Sequence, residues 1–109
     1  MHELAVAESV LASVLERTGD RHVSVVRLRI GRLAGVVPDA LAFCFELAAA
    51  GTPLEGARLE ILQEHGRAHC RGCGSDFELD DAFLLCRCGS ADVALVSGRE
   101  LSVTSVEVA

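Results

Sequence analysis

The chain has 109 residues, half of them apolar, and carries a formal net charge of −6 at pH 7. This length suits one domain, or one domain with a small appendage, and the apolar fraction argues against a disordered chain. The acidic excess argues against a protein that grips nucleic-acid phosphates and favours cations or protein partners.

A first helix is predicted over residues 3–17, because apolar side chains recur there on one helical face. That face carries Leu4, Ala7, Leu11 and either Val14 or Leu15. The segment from Val23 to Ile30 then alternates between apolar and basic residues, with Arg27 and Arg29 opposite the aliphatic side chains. Such alternation predicts a strand with one face in solvent.

A second helix is predicted to begin at Pro38, which suits a first helical turn, and to end before Gly51. Its buried stripe is expected to hold Leu41, Cys44, Phe45 and Ala48. Alternating patterns predict a second strand near residues 57–62 and a further strand over residues 101–108. Cys44 is expected to be a small core residue rather than a metal ligand.

Four of the five cysteines lie in two short loops, Cys70-Arg-Gly-Cys73 and Cys86-Arg-Cys88, separated by twelve residues. Two such loops are typical of a zinc ribbon, because each turns tightly enough to aim two thiolates at one point. Four thiolates complete the tetrahedral shell of Zn²⁺, so a site of this kind would be structural. In a reducing compartment cysteines favour metal ligation over disulfides.

The second loop is one residue shorter than the usual C-x2-C, and this leaves alternatives open. His65 or His69 could replace one thiolate, and an iron centre or reactive thiols would also use cysteines. Because strand patterns precede and follow the cysteine segment, the segment is interpreted as an insertion.

The sequence therefore predicts an α+β fold, with a small sheet of about three strands, two helices and an inserted zinc-ribbon subdomain. The predicted domains are residues 1–66 together with residues 99–109, and a zinc ribbon over residues 67–98.

The chain begins with Met1-His2-Glu3, which is a second candidate metal site. A free α-amine, an imidazole at position 2 and the intervening amide nitrogen can form fused chelate rings, and nitrogen donors of this kind suit Ni²⁺. Glu3 is equally well explained as an acid at a helix N-terminus. The residues alone leave both interpretations open, and Asp39 is likewise explained by a helix dipole or by a contribution to metal binding.

Several segments, taken in chain order, share a family pattern. They are Met1-His2-Glu3, Val26-Arg-Leu-Arg-Ile-Gly-Arg-Leu33, Leu41-Ala-Phe-Cys-Phe-Glu-Leu47 before Gly51-Thr52, and Gly56-Ala-Arg-Leu59 leading into the cysteines. Together with the late ribbon, they resemble the HypA/HybF family of hydrogenase-maturation proteins, which handle nickel. The likeness covers essentially the whole chain. It departs from the family at the second cysteine loop, which usually reads Cys-Pro-x-Cys.

This resemblance implies a nickel metallochaperone with two metals. Ni²⁺, the transient cargo, would bind the Met1 amine, His2 and Glu3, with the backbone nitrogen of His2 or Glu3 as a donor. Structural Zn²⁺ would bind Cys70, Cys73, Cys86 and Cys88. The implied partners are a nickel-handling GTPase and the large subunit of [NiFe]-hydrogenase. Some family members also serve urease, and self-association is a further expectation from the family.

Other functions have weaker support. No enzyme is expected, because neither H-E-x-x-H nor the zinc-deaminase pattern occurs and a closed four-cysteine site leaves no position for water. A nucleic-acid-binding ribbon is disfavoured by four acids within six residues, which are Asp76, Glu78, Asp80 and Asp81. A zinc-ribbon interaction adaptor without nickel transfer remains the alternative that the residues alone do not dismiss. We expect a cytoplasmic protein without membrane contact, since no signal peptide and no apolar run of about 20 residues is present.

Overall fold

The fold is described from a computed structural model that covers residues 2–81 and 83–109. The helices and strands in chain order are α1 Glu3–Thr18, β1 Val23–Gly31, α2 Pro38–Ala49, β2 Arg58–Glu64, β3 Gly66–Cys70, β4 Asp76–Leu79, β5 Val93–Ser97 and β6 Leu101–Val108. The strands form two three-stranded sheets, ordered β2-β1-β6 and β4-β3-β5. The predicted α+β class, with two helices and a small three-stranded sheet, is confirmed.

The chain divides into two compact units. The first comprises the residues up to Arg29, Val36–Leu62 and Ser102–Ala109. The second comprises Ile30–Gly35 and Gln63–Leu101, and it contains the four clustered cysteines. In the described part of the chain, no helix is both long and apolar enough to cross a membrane.

The sheet of the first unit is built around β1. The backbone N–H of Ala109 donates to His22 O at 2.9 Å, and the Ser24 hydroxyl donates to Glu107 O at 3.2 Å, so β6 runs antiparallel to β1. Arg27 on β1 contacts both neighbouring strands, donating from Nε to Glu60 on β2 at 2.9 Å and pairing with Glu107 on β6. Hydrogen bonds between neighbouring strands and the two charge pairs of Arg27 together join the three strands.

The core of the first unit is almost entirely aliphatic. Its buried apolar side chains are Ala7, Val10, Val14, Val23, Val25, Val26, Leu28, Leu41, Phe45, Ala49 and Leu54. The alternation predicted for β1 is confirmed, because Val26 and Leu28 are buried while Arg29 is exposed. The helices α1 and α2 pack against each other in this unit.

The buried faces of the two helices differ in part from the prediction. Ala7 and Val14 are buried as expected, but the prediction that Leu4 lies on the buried face is wrong, since it is 49% exposed. The helix is rotated so that Val10 enters the core instead. On α2, Cys44 is only half-buried, which contradicts its expected place in the core.

The second unit is organised around β3. This strand pairs antiparallel with β4, with Gly66 opposite Leu79 and His69 opposite Asp76. On its other side β3 pairs antiparallel with β5, with a shift of register between Arg67 and Ala68. Among the described residues of the unit, few apolar side chains are buried, namely Ile30, Ala68, Cys70 and Cys86.

Three glycines allow backbones to meet closely within the second unit. A Cβ atom on Gly31 would lie 2.0 Å from the carbonyl oxygen of Gly98, and one on Gly98 would lie 2.7 Å from the Cα of Gly66. The same contact is held by two hydrogen bonds of 2.8 Å, from Gly31 N–H to Glu100 O and from Leu33 N–H to Gly98 O. Residues 30–35 are therefore attached to the unit by backbone contacts that a larger side chain would block.

Candidate metal centre

The four clustered cysteines bring their sulfur atoms to one point. All four Sγ atoms lie within 4.8 Å of one another. The Sγ atoms of Cys70 and Cys88 are 3.7 Å apart, and those of Cys73 and Cys86 are 3.6 Å apart. Four thiolates at about 2.3 Å from a tetrahedral ion are separated by about 3.8 Å, whereas a disulfide requires about 2.05 Å. The four free thiols thus have the spacing of a metal site.

Local backbone geometry creates the first pair of ligands. Cys70 ends β3, and the N–H of Gly74 donates to its carbonyl oxygen at 2.8 Å, which closes a tight turn. Gly74 has a φ of 80°, a conformation that favours glycine. Within this turn the N–H of Cys73 points at the Sγ of Cys70 at 3.4 Å.

The shortened second loop also closes on itself. Gly89, with a φ of 93°, donates its N–H to Cys86 O at 2.9 Å, and Cys86 N–H donates to Ser90 O at 3.0 Å. Because Gly89 turns the chain directly after Cys88, both sulfurs of the loop reach the cluster despite the single spacer residue. Neither His65 nor His69 belongs to the group of metal-ligating side chains found in residues 2–81 and 83–109.

The thiols of the cluster differ in acidity. A hydrogen bond between the Ser75 hydroxyl and Cys73 Sγ, 2.9 Å long, lowers the pKa of Cys73 to about 6. The pKa of Cys86 is also lowered, chiefly by a hydrogen bond from the backbone N–H of Cys88. Both thiols are therefore more acidic than an ordinary cysteine even when no metal is bound.

Cys88 has the opposite tendency. The backbone N–H of Ser90 lowers the pKa of its thiol, but the neighbouring thiols of Cys86 and Cys70 outweigh this bond and raise the pKa to about 11. Because metals bind thiolates, binding at the cluster releases the proton that Cys88 retains.

The histidines beside the cluster belong to a row of hydrogen-bonded side-chain pairs along β3 and β4. His65, which directly precedes β3, and Arg67 and His69 on β3 each face an acid. The pairs are His65 with Asp80, Arg67 with Glu78 and His69 with Asp76. The His69 Nδ1 to Asp76 Oδ1 distance is 2.6 Å, so this ring faces a carboxylate rather than the sulfurs. The remaining acid, Asp81, accepts a hydrogen bond from the N–H of Phe83.

The second candidate site lies at the start of the chain. Met1 lies outside the described residues, so its predicted amine ligand stays a prediction. His2 is exposed and directly precedes α1. Glu3 is only 9% exposed, and its carboxylate accepts a hydrogen bond of 3.1 Å from the backbone N–H of Val37. This bond lowers the pKa of Glu3.

The contact between Glu3 and Val37 was not foreseen from the sequence. Val37 is the N-cap residue of α2 and has no side chain that can cap the helix. Glu3 therefore supplies an acceptor and a negative charge at the N-terminus of α2. Asp39 lies in the first turn of the same helix and is exposed, and its helix-dipole interpretation stays a prediction. No sequence signal links positions 34 residues apart in this way.

Comparison with known proteins decides the family. A family model described as hydrogenase/urease nickel incorporation, metallochaperone, hypA matches residues 1–108. The chain belongs to the HypA family. The HypA hydrogenase maturation factor of Nostoc punctiforme is 42% identical over 108 residues, which cover 99% of this chain and 96% of that relative. The HypA of Geobacter metallireducens is 45% identical over 109 residues, or 99% of each chain.

A solved HypA structure has the same fold. The solution structure of the Ni metallochaperone HypA from Helicobacter pylori superposes with a TM-score of 0.68, covering 99% of this chain and 97% of that one. Sequence identity is 23%, so this likeness concerns the fold. The family predicted from the sequence is confirmed, and the HypA family is one of nickel metallochaperones that act in hydrogenase maturation.

Proposed function

We propose that this chain binds Ni²⁺ at its N-terminus and delivers it for maturation of [NiFe]-hydrogenase, with Zn²⁺ as a structural ion at the four cysteines. The observation that carries the proposal is the four-sulfur cluster in a chain that matches the nickel-incorporation family from residue 1 to residue 108.

The proposed zinc ligands are Cys70, Cys73, Cys86 and Cys88. Their Sγ separations of 3.6 and 3.7 Å fit the edges of a tetrahedral thiolate site. Zn²⁺ would cross-link the two cysteine loops there, in a unit that has few other buried side chains. Because four thiolates leave no open position, this ion would have no part in nickel exchange.

The proposed nickel ligands are the Met1 amine, the imidazole of His2 and Glu3. The structure supports a specific division of roles for Glu3. Its carboxylate accepts hydrogen bonds from Val37 N–H and from its own backbone N–H, which lies in the first turn of α1 and has no carbonyl acceptor within the helix. We therefore propose that Glu3 contributes its backbone nitrogen, and that its carboxylate fixes the start of α1 beside α2.

Release of the cargo follows from this ligand set. A site with only a few ligands at the end of a chain leaves the cation more accessible than a closed protein site does. A partner with better ligands can therefore remove the cation. We propose a nickel-handling GTPase as the exchange partner and the large subunit of [NiFe]-hydrogenase as the recipient, in the cytoplasm. The family description also names urease, which makes urease a second possible recipient.

The decisive experiment is a calorimetric titration of Ni²⁺ into untagged, zinc-loaded protein, with His2→Ala and a matched control, His22→Ala. Both histidines are exposed, but only His2 belongs to the proposed site. The wild type and His22→Ala should bind about one nickel per chain, and His2→Ala should lose this binding while keeping its zinc. Equal nickel binding by both variants would refute the N-terminal site. If the wild type binds no nickel, the zinc-ribbon adaptor becomes the better interpretation.

The zinc site is tested separately by metal analysis and X-ray absorption. Cys88→Ser should lower the zinc content or change the sulfur shell, whereas Cys44→Ser, which alters the cysteine outside the cluster, should leave both unchanged. The wild type should show four sulfur neighbours at about 2.3 Å. A shell of three sulfurs and one nitrogen would instead support ligation by His65 or His69.

A further inference from the structure

Helix α2 presents apolar side chains to solvent as well as to the core. Leu41 and Phe45 are buried, but Phe43 and Leu47 are 63% and 59% exposed. The two exposed residues are four positions apart, so they lie one turn from each other on the same face of the helix. Adjacent large apolar side chains on a surface mark an interaction site more often than isolated ones do.

A groove in the first unit adjoins this exposed face. It lies between the C-terminal half of α2 and the chain that leads into β2, and its lining includes Phe45, Glu46, Leu47, Leu54, Glu55 and Leu59. Leu47 belongs both to the lining and to the exposed face, so the two surfaces are continuous. The groove has a volume of about 630 Å³, within the range of sites that enclose a ligand, and it can therefore receive more than one side chain.

The charges at the groove have one sign. Glu46 and Glu55 line it, and no described lining residue is basic. Both glutamates are exposed, and one carboxylate oxygen of Glu55 accepts a hydrogen bond from Gly51 N–H, which fixes its position at the rim. An apolar surface with acidic edges is complementary to an apolar surface with basic edges.

A second copy of the chain fits this surface poorly. The charged residues of α2 are Asp39 and Glu46, both acidic, so two α2 faces would bring like charges together. The whole chain carries a net charge of −6, which adds to the repulsion.

We propose that Phe43, Leu47 and the adjoining groove, together named the α2 surface, form a docking site for a basic amphipathic helix of a partner protein. Apolar residues at i, i+3, i+4 and i+7 of that helix would pack between Phe43 and Leu47 and enter the groove. Its flanking lysines or arginines would face Glu46 and Glu55. The α2 surface includes none of the proposed metal ligands, so this proposal stands or fails independently of the nickel proposal.

The probe is a fluorescein-labelled helical peptide with leucines at i, i+3, i+4 and i+7 and lysines at the flanking positions. Two control peptides have the same composition without an apolar face, or glutamates in place of the lysines. Fluorescence anisotropy with the zinc-loaded full chain measures binding, and amide NMR shifts of labelled protein locate it. We expect the amphipathic basic peptide to bind and to shift α2 resonances, and both control peptides to bind at least about tenfold more weakly.

Matched variants test the site itself. Leu47→Ser is compared with Leu62→Ser, because both leucines are 59% exposed and only Leu47 lies on the α2 surface. Glu46→Lys is compared with Glu8→Lys, since both glutamates are exposed and lie on helices. Leu47→Ser and Glu46→Lys should raise the Kd about tenfold, and the two control variants should change it less than twofold.

Three outcomes would overturn the proposal. The first is no binding of the basic peptide, and the second is equal weakening by Leu47→Ser and Leu62→Ser. The third is concentration-dependent dimerisation that Leu47→Ser abolishes, which would assign the α2 surface to a second copy of the chain. Thermal unfolding of each variant serves as a check that substitution of these exposed residues leaves the fold intact.

Discussion

Replacement of Gly31 by alanine is a sharp test of how residues 30–35 are attached to the second unit. The new Cβ would lie 2.0 Å from Gly98 O and 2.8 Å from the backbone nitrogen of Arg99, both closer than real Cβ contacts. The two backbones must separate by at least about 1 Å to relieve the overlap. Hydrogen bonds that are 2.8 Å long in the wild type would then exceed hydrogen-bonding distance.

The expected loss of stability is about 3–5 kcal/mol, since two backbone hydrogen bonds contribute about 1 kcal/mol each and overpacking adds about 1–3 kcal/mol. Gly35→Ala is the matched control in the same segment. Gly35 has a φ of 75° and no atom near its missing Cβ, so that substitution introduces backbone strain of about 1–2 kcal/mol without a clash.

Urea unfolding of zinc-loaded protein measures the global effect, and hydrogen exchange at the Leu33 amide measures the local one. This amide donates to Gly98 O, so its protection should fall strongly in Gly31→Ala and only slightly in Gly35→Ala. If Gly31→Ala proves no less stable than Gly35→Ala, the close approach of the backbones does not hold the segment in place.

Three further predictions concern the core, the thiols and the N-terminus. Phe45→Ala should lower the free energy of unfolding in urea by about 3–5 kcal/mol, because the ring of Phe45 is only 2% exposed. Phe43→Ala should lower it by less than about 0.5 kcal/mol, and similar losses for the two variants would contradict the burial pattern. In zinc-free, reduced protein, Ser75→Ala should raise the pKa of Cys73 from about 6 and slow its alkylation by iodoacetamide near neutral pH, as followed by mass spectrometry; an unchanged rate would show that the hydroxyl has no such role. The hydrogen bond from Val37 N–H lowers the pKa of Glu3. The stabilisation that this bond gives to the folded state is therefore fully present above pH 4.5, the ordinary carboxyl pKa, and is lost as the pH falls through the lowered pKa. Glu3→Ala should therefore lose less stability than the wild type on acidification in that range, measured by unfolding at several pH values, and parallel pH profiles would refute the coupling.

Hydrophobic periodicity in the sequence predicted the helices and strands of the first unit, because each of them packs one apolar face against a large core. In β1 the alternation is long enough to identify the buried side correctly. In α1, Ala7 and Val14 belong to two neighbouring apolar stripes, one of which also includes Leu4 and the other Val10. The choice between the stripes depends on packing against α2, which a single sequence does not show.

The sheet of the second unit was not predicted, because its strands have 4 or 5 residues and little apolar alternation. The register of β3 and β4 is instead matched by side-chain pairs, such as the charge pair of Arg67 with Glu78. For the candidate site, cysteine spacing was sufficient to predict four converging sulfurs. The capping of α2 by Glu3 could not be predicted, since it depends on the tertiary arrangement of α1 and α2.

The two cysteine loops have unequal structural support, and this has a consequence for the order in which the cluster assembles. Cys70 ends a strand that is paired on both sides, so its position is set by backbone hydrogen bonds that need no metal. Cys86 and Cys88 lie between β4 and β5, where no described residue belongs to a strand. Their loop is closed by its own hydrogen bonds, such as that from Cys86 N–H to Ser90 O, and a metal would tie it to the first loop. We therefore expect an incoming ion to meet the first pair of thiols in place and to capture the second pair afterwards. By the same reasoning, we expect a chelator to detach the second loop first, so that the rate of metal loss would report on opening of that loop rather than on unfolding of β3 and β4.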